Sequence, residues 1–535
     1  MRKVVLTLAL MLPFLMLFSG CGGEDLSAPS STLTDAPDTL FYNSGNSDGT
    51  STRVRFSGTA TDNFSIDAVQ ISFNAGSTWK DATVSGTGSS KTWVYLATES
   101  KTSAASTIRT KAQDMAGNWE TAGAGTAYTK TSSSVIGSLE SIVTSATADD
   151  VIYLSSGTGG AYGDSSTATV LANSVDLIIM GSGYGLAVTS TLITNAGFSA
   201  VAATPMTSIA TSQSASYLFS IGADLTLKNI RVSGAVKAVN VHSVSGTTVT
   251  VTVEDTVFEN QNNWAIFATN MTGNFGSVNI IVNGVMIDAE NQGGDSTDRG
   301  GIYLDKVKYT LDDTLIANVT GASSFKRTAI YANSGGSTSD TSITISGCYL
   351  VNNVHGIWID NGSPVVTSCV IRNDGLTISN GVNLSTAGTP RFNSNTISGS
   401  SNYGVRVGGS MTPIFYRNII GANGSVGVWV DGTGEPDLGT FPFDDSGCNR
   451  ITNSAFQYDT EYVLVASPTT ESADIFNAGK NFWGSSTYAP TDPDIYRIWD
   501  KKDSIGDSWA DLSGTGLGLG SGATPVLWNG TATCP

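Results

Sequence analysis

The sequence predicts an all-β chain, a small β-sandwich followed by a right-handed parallel β-helix. Three observations carry that expectation. Glycine supplies 60 of 535 residues and charged residues only 13%, which leaves little for Lys/Glu-rich amphipathic helices. Short apolar triplets recur at intervals in the twenties, the period of stacked coils rather than of domains. A second series of small–apolar–variable–apolar strands runs through the same coils in phase.

The first element is a leader. Arg2 and Lys3 precede an apolar run, Val4 to Phe18, broken only by Thr7 and Pro13. Too short for a membrane span, it reads as a secretory signal over residues 1–20. Ser19 and Gly20 are small and Cys21 follows, which resembles the bacterial lipoprotein signal. That resemblance implies acylation of Cys21 and membrane attachment through the N-terminal lipid. Gly22, rather than Asp, implies sorting to an outer membrane or cell surface. Phe18 departs from the aliphatic residue usual there, and ordinary cleavage with an incidental cysteine stays open. Residues 21–38, rich in Gly, Ser, Thr, Asp and Pro, read as a flexible tether. With 27 basic against 45 acidic residues the net charge is −18, which excludes a nucleic acid partner.

Residues 39–132 hold short alternating runs, among them Thr52 to Ser57, Ala68 to Phe73 and Ser106 to Ala112, the pattern of a sandwich. The stretches TATDNFSIDAVQISFNAGSTWKDATVSG and TIRTKAQDMAGNWET, with the turn Asp114 to Asn118, resemble bacterial Ig-like domains. The resemblance implies a spacer and no particular activity. Ile136, Leu139, Ile142 and Val143 then keep helical spacing, and a short helix there would cover the open end of a stack.

The β-helix is expected over 135–488. Its triplets are Leu227-Ile230-Val232, Val253-Thr256-Phe258, Val282-Val285-Ile287, Leu311-Thr314-Ile316, Ile345-Cys348-Leu350, Val366-Cys369-Ile371, Phe392-Asn395-Ile397 and Phe415-Asn418-Ile420. The middle residues are 26, 29, 29, 34, 21, 26 and 23 apart. Asn395, Asn418, Asn449 and Asn481 read as an internal ladder of stacked amides or as surface turn residues. Cys348 and Cys369 fall one coil apart, about 4.8 Å, and form either a disulfide or a stacked thiol pair. Cys448 and Cys534 are the better bridge candidates, pinning the tail. The cysteine spacings match no zinc site. NFWGSSTYAPTDPDIYRIWDKKDS resembles the closing segment of bacterial β-helix proteins, which implies a cap and tail over 489–535 and a helix presenting Ile495, Ile498 and Trp499.

The candidate site is the outward column of the second series: Phe267, Tyr303, Tyr331, Trp358, Asn383, Arg406 and Trp429. Two residues further stand Thr269, Asp305, Asn333, Asp360, Ser385, Gly408 and Asp431. Aromatic faces beside carboxylates and amides suit pyranose rings, making polysaccharide or a surface glycan the expected partner. Structural stacking under neighbouring loops is the competing reading. The glycan-binding set is Tyr303, Asp305, Tyr331, Trp358, Asp360, Arg406, Trp429 and Asp431.

Many right-handed β-helix proteins resemble pectate lyases or polygalacturonases, so a polysaccharide lyase or hydrolase is the rival. Asp360, Arg406 and Asp431 are its catalytic candidates, yet no N-T-D…D-D…G-H-G series is present. His355 reads as structural. Asp295, Asp298 and Arg299 form a second polar cluster with the look of a solvated turn. Asp431, Asp437, Asp444 and Asp445 are candidate Ca²⁺ ligands without EF-hand spacing. A third reading is a structural or adhesive surface protein that binds other proteins.

Overall fold

The computed structural model describes residues 25–34, 38–43, 52–99, 105–133, 136–154, 162, 170–181, 207–242, 248–270, 277–289, 299–320, 327–334, 343–373, 379–424, 426–430, 436–439, 448–452, 462–466, 477–478 and 498–499. The chain divides into two compact units, one of Met1–Tyr42, Thr50–Ser132 and Val151–Ser155, the other of the remainder.

The first unit is built from antiparallel strands. Thr52–Thr61 pairs with Ser90–Glu99 along its whole length, and Ile66–Ser72 pairs with Ala105–Asp114. Alternation turns Phe56, Ile66, Val69, Ile71, Trp93, Ile108 and Ala112 inward, each at most 1% exposed. Gly58 is required by that packing, because a Cβ there would lie 1.9 Å from Thr32 O. One expectation is corrected. Ser30–Leu33, assigned to the tether, is an edge strand antiparallel to Gly58–Thr61, since its Ser and Thr residues suit a half-exposed edge. Within the strand Asp150–Leu154, residues 152–154 pair parallel with Thr39–Phe41.

In the second unit three parallel sheets run along a solenoid. Sheet I carries Leu225–Lys228, Val249–Glu254, Val278–Asn283, Lys308–Asp312, Thr344–Ser346, Val365–Thr367, Arg391–Asn393 and Ile414–Tyr416, each paired with the next. Sheet II follows after a tight bend, from Ile230–Ser233 through Val257–Glu259 to Arg450–Thr452. Sheet III returns the chain, from Leu171–Asn173 through Trp264–Thr269, Arg299–Asp305, Arg327–Asn333, His355–Asn361, Asn380–Gly388 and Tyr403–Val407 to Val426–Val430 and beyond.

The triplets read from the sequence are vertical neighbours. Leu227, Val253, Val282, Leu311, Ile345, Val366, Phe392 and Phe415 share one row. Val232, Phe258, Ile287, Ile316, Leu350, Ile371, Ile397 and Ile420 share another. The bend between sheets I and II has one backbone solution. Asp255, Gly284, Asp313, Gly347, Ser368, Ser394, Arg417 and Cys448 all adopt φ between 43° and 63°, the left-handed region. The residue after each therefore points into the core. Asn395, Asn418 and Asn449 occupy that position at no more than 1% exposure, which makes them a ladder and not surface turns. Asn418 Oδ1 accepts from Asn395 N and Nδ2 at 3.0 and 2.9 Å, and Asn449 Oδ1 takes the same two donors from Asn418 at 2.9 Å. Asn481 lies outside the described residues.

Cys348 and Cys369 are free and buried. Their thiols donate to Ser346 O and Thr367 O at 3.3 Å, so the thiol-pair alternative holds. Cys448 is disulfide-bonded; Cys21 and Cys534 lie outside the described residues. The helix forms at Ile136–Ser145, buries Leu139 and Val143, and packs beside Leu171–Asn173 at the start of sheet III. At the other end Ile498–Trp499 is a strand paired with Leu464–Val465. The expected helix face is corrected there, because these two residues continue sheet III as a strand. Ile495 lies outside the described residues. Among the described residues no helix is long and apolar enough to cross a membrane.

Candidate functional site

Sheet III places Phe267, Tyr303, Tyr331, Trp358, Asn383, Arg406 and Trp429 in one register row. The residues on either side of each point inward, as Ile302 and Leu304 do beside Tyr303, both fully buried. The small residue that precedes each pair sits at the corner with sheet II. A Cβ on Gly381 would lie 2.4 Å from Ile397 Cγ2 and 2.5 Å from Gly404 O, so this row of glycine and alanine lets the sheets close.

The rings do not form an open platform. Phe267 and Tyr303 stack at 4.6 Å and 11°, Tyr303 and Tyr331 at 4.7 Å and 10°. Coil spacing and aromatic stacking distance coincide, so each ring covers its neighbour's face. The expected C–H stacking of sugars on Tyr303 is therefore corrected: both of its faces are taken, and Trp264 meets it edge-on at 5.3 Å. Lys237 Nζ lies 3.4 Å from the Phe267 ring centroid, a cation–π cover on the first ring. Further along, Trp429 stacks on Tyr403 at 5.2 Å. Tyr331 is 8% and Asn383 1% exposed, which leaves Phe267, Tyr303, Trp358, Arg406 and Trp429 as the half-buried members of the row.

The polar row departs from the expected one at a bulge. Thr269, Asp305 and Asn333 are in register, but Asn333 pairs with Asn361 rather than Asp360. The next pairing is Asn361 with Ala387, so Ser385 also leaves the row. Glycines permit the irregularity: Gly362 and Gly388 have φ of 120° and 141°, and a Cβ on Gly388 would lie 2.0 Å from Gly362 O. Two polar networks result. Asn333 Nδ2 donates to Asp305 Oδ1 at 2.9 Å and Asn361 Nδ2 to Asn333 Oδ1 at 3.1 Å, an external amide ladder. Asp360 Oδ1 accepts from Ser385 Oγ at 2.6 Å and Thr386 Oγ1 at 2.8 Å, while Oδ2 faces Tyr331 OH at 3.4 Å. Trp358 Nε1 donates to Ser385 Oγ at 3.1 Å and joins the ring row to this network.

Charge is arranged around Tyr331. Burial pushes the Asp305 carboxyl above its ordinary range, with Asp360 adding to the shift against Lys306 and Asn333. Burial, then the charge of Asp360, keeps the Tyr331 phenol protonated and a donor. His355 lies beside Trp358 at 5.3 Å, and its Nδ1 pairs with Asn383 Nδ2 at 3.1 Å. Burial and the Arg406 charge lower its pKa to about 4, which makes it a neutral structural ring.

The catalytic candidates do not assemble as a triad. Asp360 is held by hydroxyl donors in the bulge, while Arg406 stands in the ring row two coils on and faces His355. Asp431, Asp444 and Asp445 lie outside the described residues. Asp437 is on a strand beside Ile414. Among the described residues none of Asp305, Asp360 and Asp437 joins a group of three metal-ligating side chains. Sequence alternation skips Asn361 and Thr386; the available signal was the glycine that follows, Gly362 one residue after Asn361 and Gly388 two after Thr386.

Comparison with protein families matches a right handed beta helix region to residues 300–446. Comparison with curated proteins returns no match. Among solved structures, a Yersinia enterocolitica family 28 exopolygalacturonase aligns over 89% of this chain and 98% of its own at 10% identity and a TM-score of 0.26. The sulfane dehydrogenase SoxCD from Paracoccus pantotrophus aligns over 17% of this chain at 16% identity and a TM-score of 0.14, and the chain spans about a quarter (23%) of that structure's length. These likenesses are too low to carry an argument about function; the family match supports the right-handed parallel β-helix.

Proposed function

We propose that this chain is an exported, lipid-anchored envelope protein in which an Ig-like spacer presents a β-helix that binds polysaccharide along sheet III without turning it over. The observation that carries the glycan reading is the pair of outward networks: the Asp305–Asn333–Asn361 ladder and Asp360 with its hydroxyl donors, flanked by half-buried Tyr303 and Trp358. Aligned amides and carboxylates at coil spacing offer repeated donors and acceptors to successive sugar hydroxyls. Ring edges and indoles supply apolar contact. Support for the anchor comes from the leader and Cys21, and for the spacer from the antiparallel strands and the Asp114–Asn118 turn.

An array of acidic and neutral polysaccharides, with and without Ca²⁺, tests the reading. Retention of one or more glycans is expected, with affinity falling about tenfold in Trp358→Ala and Asp360→Ala. Retention unchanged in both variants would remove sheet III from the site. The raised Asp305 carboxyl beside Asp360 is the one feature that favours the lyase or hydrolase reading, and release of shortened products in the same assay would establish it. Retention of proteins and no glycan would establish the adhesive reading. Detergent partitioning of wild type, lost in Cys21→Ala, tests the anchor.

A further inference from the structure

One end of the first unit is apolar where its fold has no use for apolar side chains. Among the described residues the most exposed large hydrophobic side chains are Leu26, Met115 and Phe64, at 81, 71 and 65%. They stand at three separate turns. Leu26 precedes the edge strand Ser30–Leu33, Phe64 follows Thr52–Thr61, and Met115 follows Ala105–Asp114. The turns are bonded to one another: Met115 N donates to Ser65 O at 3.0 Å, Asn63 Nδ2 to Asp25 Oδ1 at 3.2 Å, and Asn118 Nδ2 to Asp25 O at 2.6 Å. Single exposed apolar residues are ordinary on a protein surface, whereas three on adjoining turns make a patch.

The backbone holds these side chains outward. Each stands one or two residues after an aspartate that fixes its turn. Asp25 Oδ1 accepts from Ser27 N at 3.0 Å, Asp62 Oδ2 from Phe64 N at 2.9 Å, and Asp114 Oδ1 from Asn118 N at 2.7 Å. Phe56, Val69, Ile71 and Trp93 fill the interior of the unit without help from the turns. Turn positions ordinarily carry small or polar residues, and a leucine, a phenylalanine and a methionine there leave apolar area in water that folding does not recover.

We infer that Leu26, Phe64 and Met115 enter the interface of the lipid bilayer that holds the N-terminal acyl chain, seating the first unit directly on the membrane. The inference rests on the lipid-anchor reading of Cys21. Chain length selects the bilayer as occupant. Cys21 comes four residues before Asp25, so the two Cα atoms are at most about 14 Å apart. An acyl chain on Cys21 therefore brings this end of the unit to the headgroups. The opposite end, where exposed Ser77 follows the strand Ile66–Ser72, is a strand length of about 20 Å further away. Leucine and phenylalanine are side chains that bury at the boundary of headgroups and acyl chains. Behind them the carboxylates of Asp25, Asp62 and Asp114 lie within 4.8 Å of one another, which disfavours anionic headgroups and fits a zwitterionic surface.

The test uses the full acylated chain in vesicles of phosphatidylethanolamine and phosphatidylcholine, with the photocrosslinker benzoylphenylalanine at Ala116, an exposed residue of the Met115 turn. Irradiation should give lipid adducts about tenfold above those from the same probe at Ser77. Leu26→Ser, Phe64→Ser and Met115→Ser combined should remove most of the Ala116 adducts while the far-ultraviolet spectrum stays unchanged. Equal yields at Ala116 and Ser77, or adducts that survive the three serines, would overturn the inference and leave the anchor standing. A crosslinked dimer in place of lipid adducts would overturn it in favour of a second copy of the chain. Failure of the wild type to partition into detergent would remove the anchor and the inference together.

Discussion

At the scale of single residues, burial decides what polar side chains do here. His355 is 3% exposed, with Asn383 on its Nδ1 and the Arg406 charge nearby. Its folded pKa of about 4 lies below the ordinary 6.5. As pH falls through 6.5 the unfolded chain takes up a proton that the folded chain refuses. The stability contributed by the neutral ring is therefore complete above pH 6.5 and lost progressively down to about pH 4, where the folded state also titrates. The full shift corresponds to roughly 3 kcal/mol. Urea midpoints at pH 7 and pH 4.5 should fall less in His355→Gln than in wild type; equal losses would mean that the ring is already solvated. Tyr309 is likewise kept neutral, burial pushing its phenol far up. Neither environment was visible in the sequence, because a neutral histidine and a charged one are written alike and the coil that buries His355 comes from residues 380–406.

At the scale of elements, the bends carry more information than the strands. The left-handed residue between sheets I and II is Asn, Asp, Gly, Ser, Arg or Cys at different coils, so no single residue type marks it; the apolar residues two before and three after do. That is why the ladder was legible from spacing alone. A second ladder was not. At the bend into sheet III, Asn353 Oδ1 accepts from Val319 N, Asn373 Oδ1 from Asn353 N, and Asn423 Oδ1 from Ser400 N. Gln261, Val319 and Ser400 interrupt the run of asparagines, and insertions shift its spacing. A row of buried prolines, Pro364, Pro390, Pro413 and Pro436, closes the last bend of four successive coils, and Pro364, Pro390 and Pro413 accept the backbone N–H of Arg391, Ile414 and Asp437 at 2.8–2.9 Å. The bulge at Asp360 escaped detection for the opposite reason: strand alternation is a rule of period two, and one extra residue reverses it. For the ladder that was legible, the energetic consequence is direct. Asn418→Ala leaves Phe392 O and Asn395 N without their partners, removes one of the two donors to Asn449 Oδ1 and opens a small cavity. The expected loss is about 3 kcal/mol, measured by urea unfolding. Asn418→Thr should lose less, because Thr256 and Thr314 occupy the same position and bond the carbonyl two residues back at 2.8 and 2.9 Å.

At the scale of the whole molecule, a solenoid is held by nearest-neighbour coils, so its proper unit of change is one coil and not one residue. The register supplies an excision that respects this. Arg391 pairs with Ile414 and Phe392 with Phe415, and Pro390 and Pro413 precede the two strands. Joining Pro390 to Ile414 removes 391–413, one full turn of 23 residues. Ile414 then follows Val365 in sheet I, Asn418 follows Cys369 in the ladder, and Ile420 follows Ile371 in sheet II. Every inward row keeps an apolar or amide member, and the bulged strand Asn380–Gly388 stays upstream of the cut. The shortened chain should remain soluble, with unchanged β-sheet signature by circular dichroism and a modestly lower urea midpoint. Removing only 391–402 would instead place Tyr403 after Pro390, so that a sheet III strand is asked to fill sheet I and the ladder loses its asparagine. That chain should fail to fold or should aggregate through exposed apolar rows. Equal tolerance of the full-turn and half-turn excisions would show that the stacking of coils does not govern the stability of this protein.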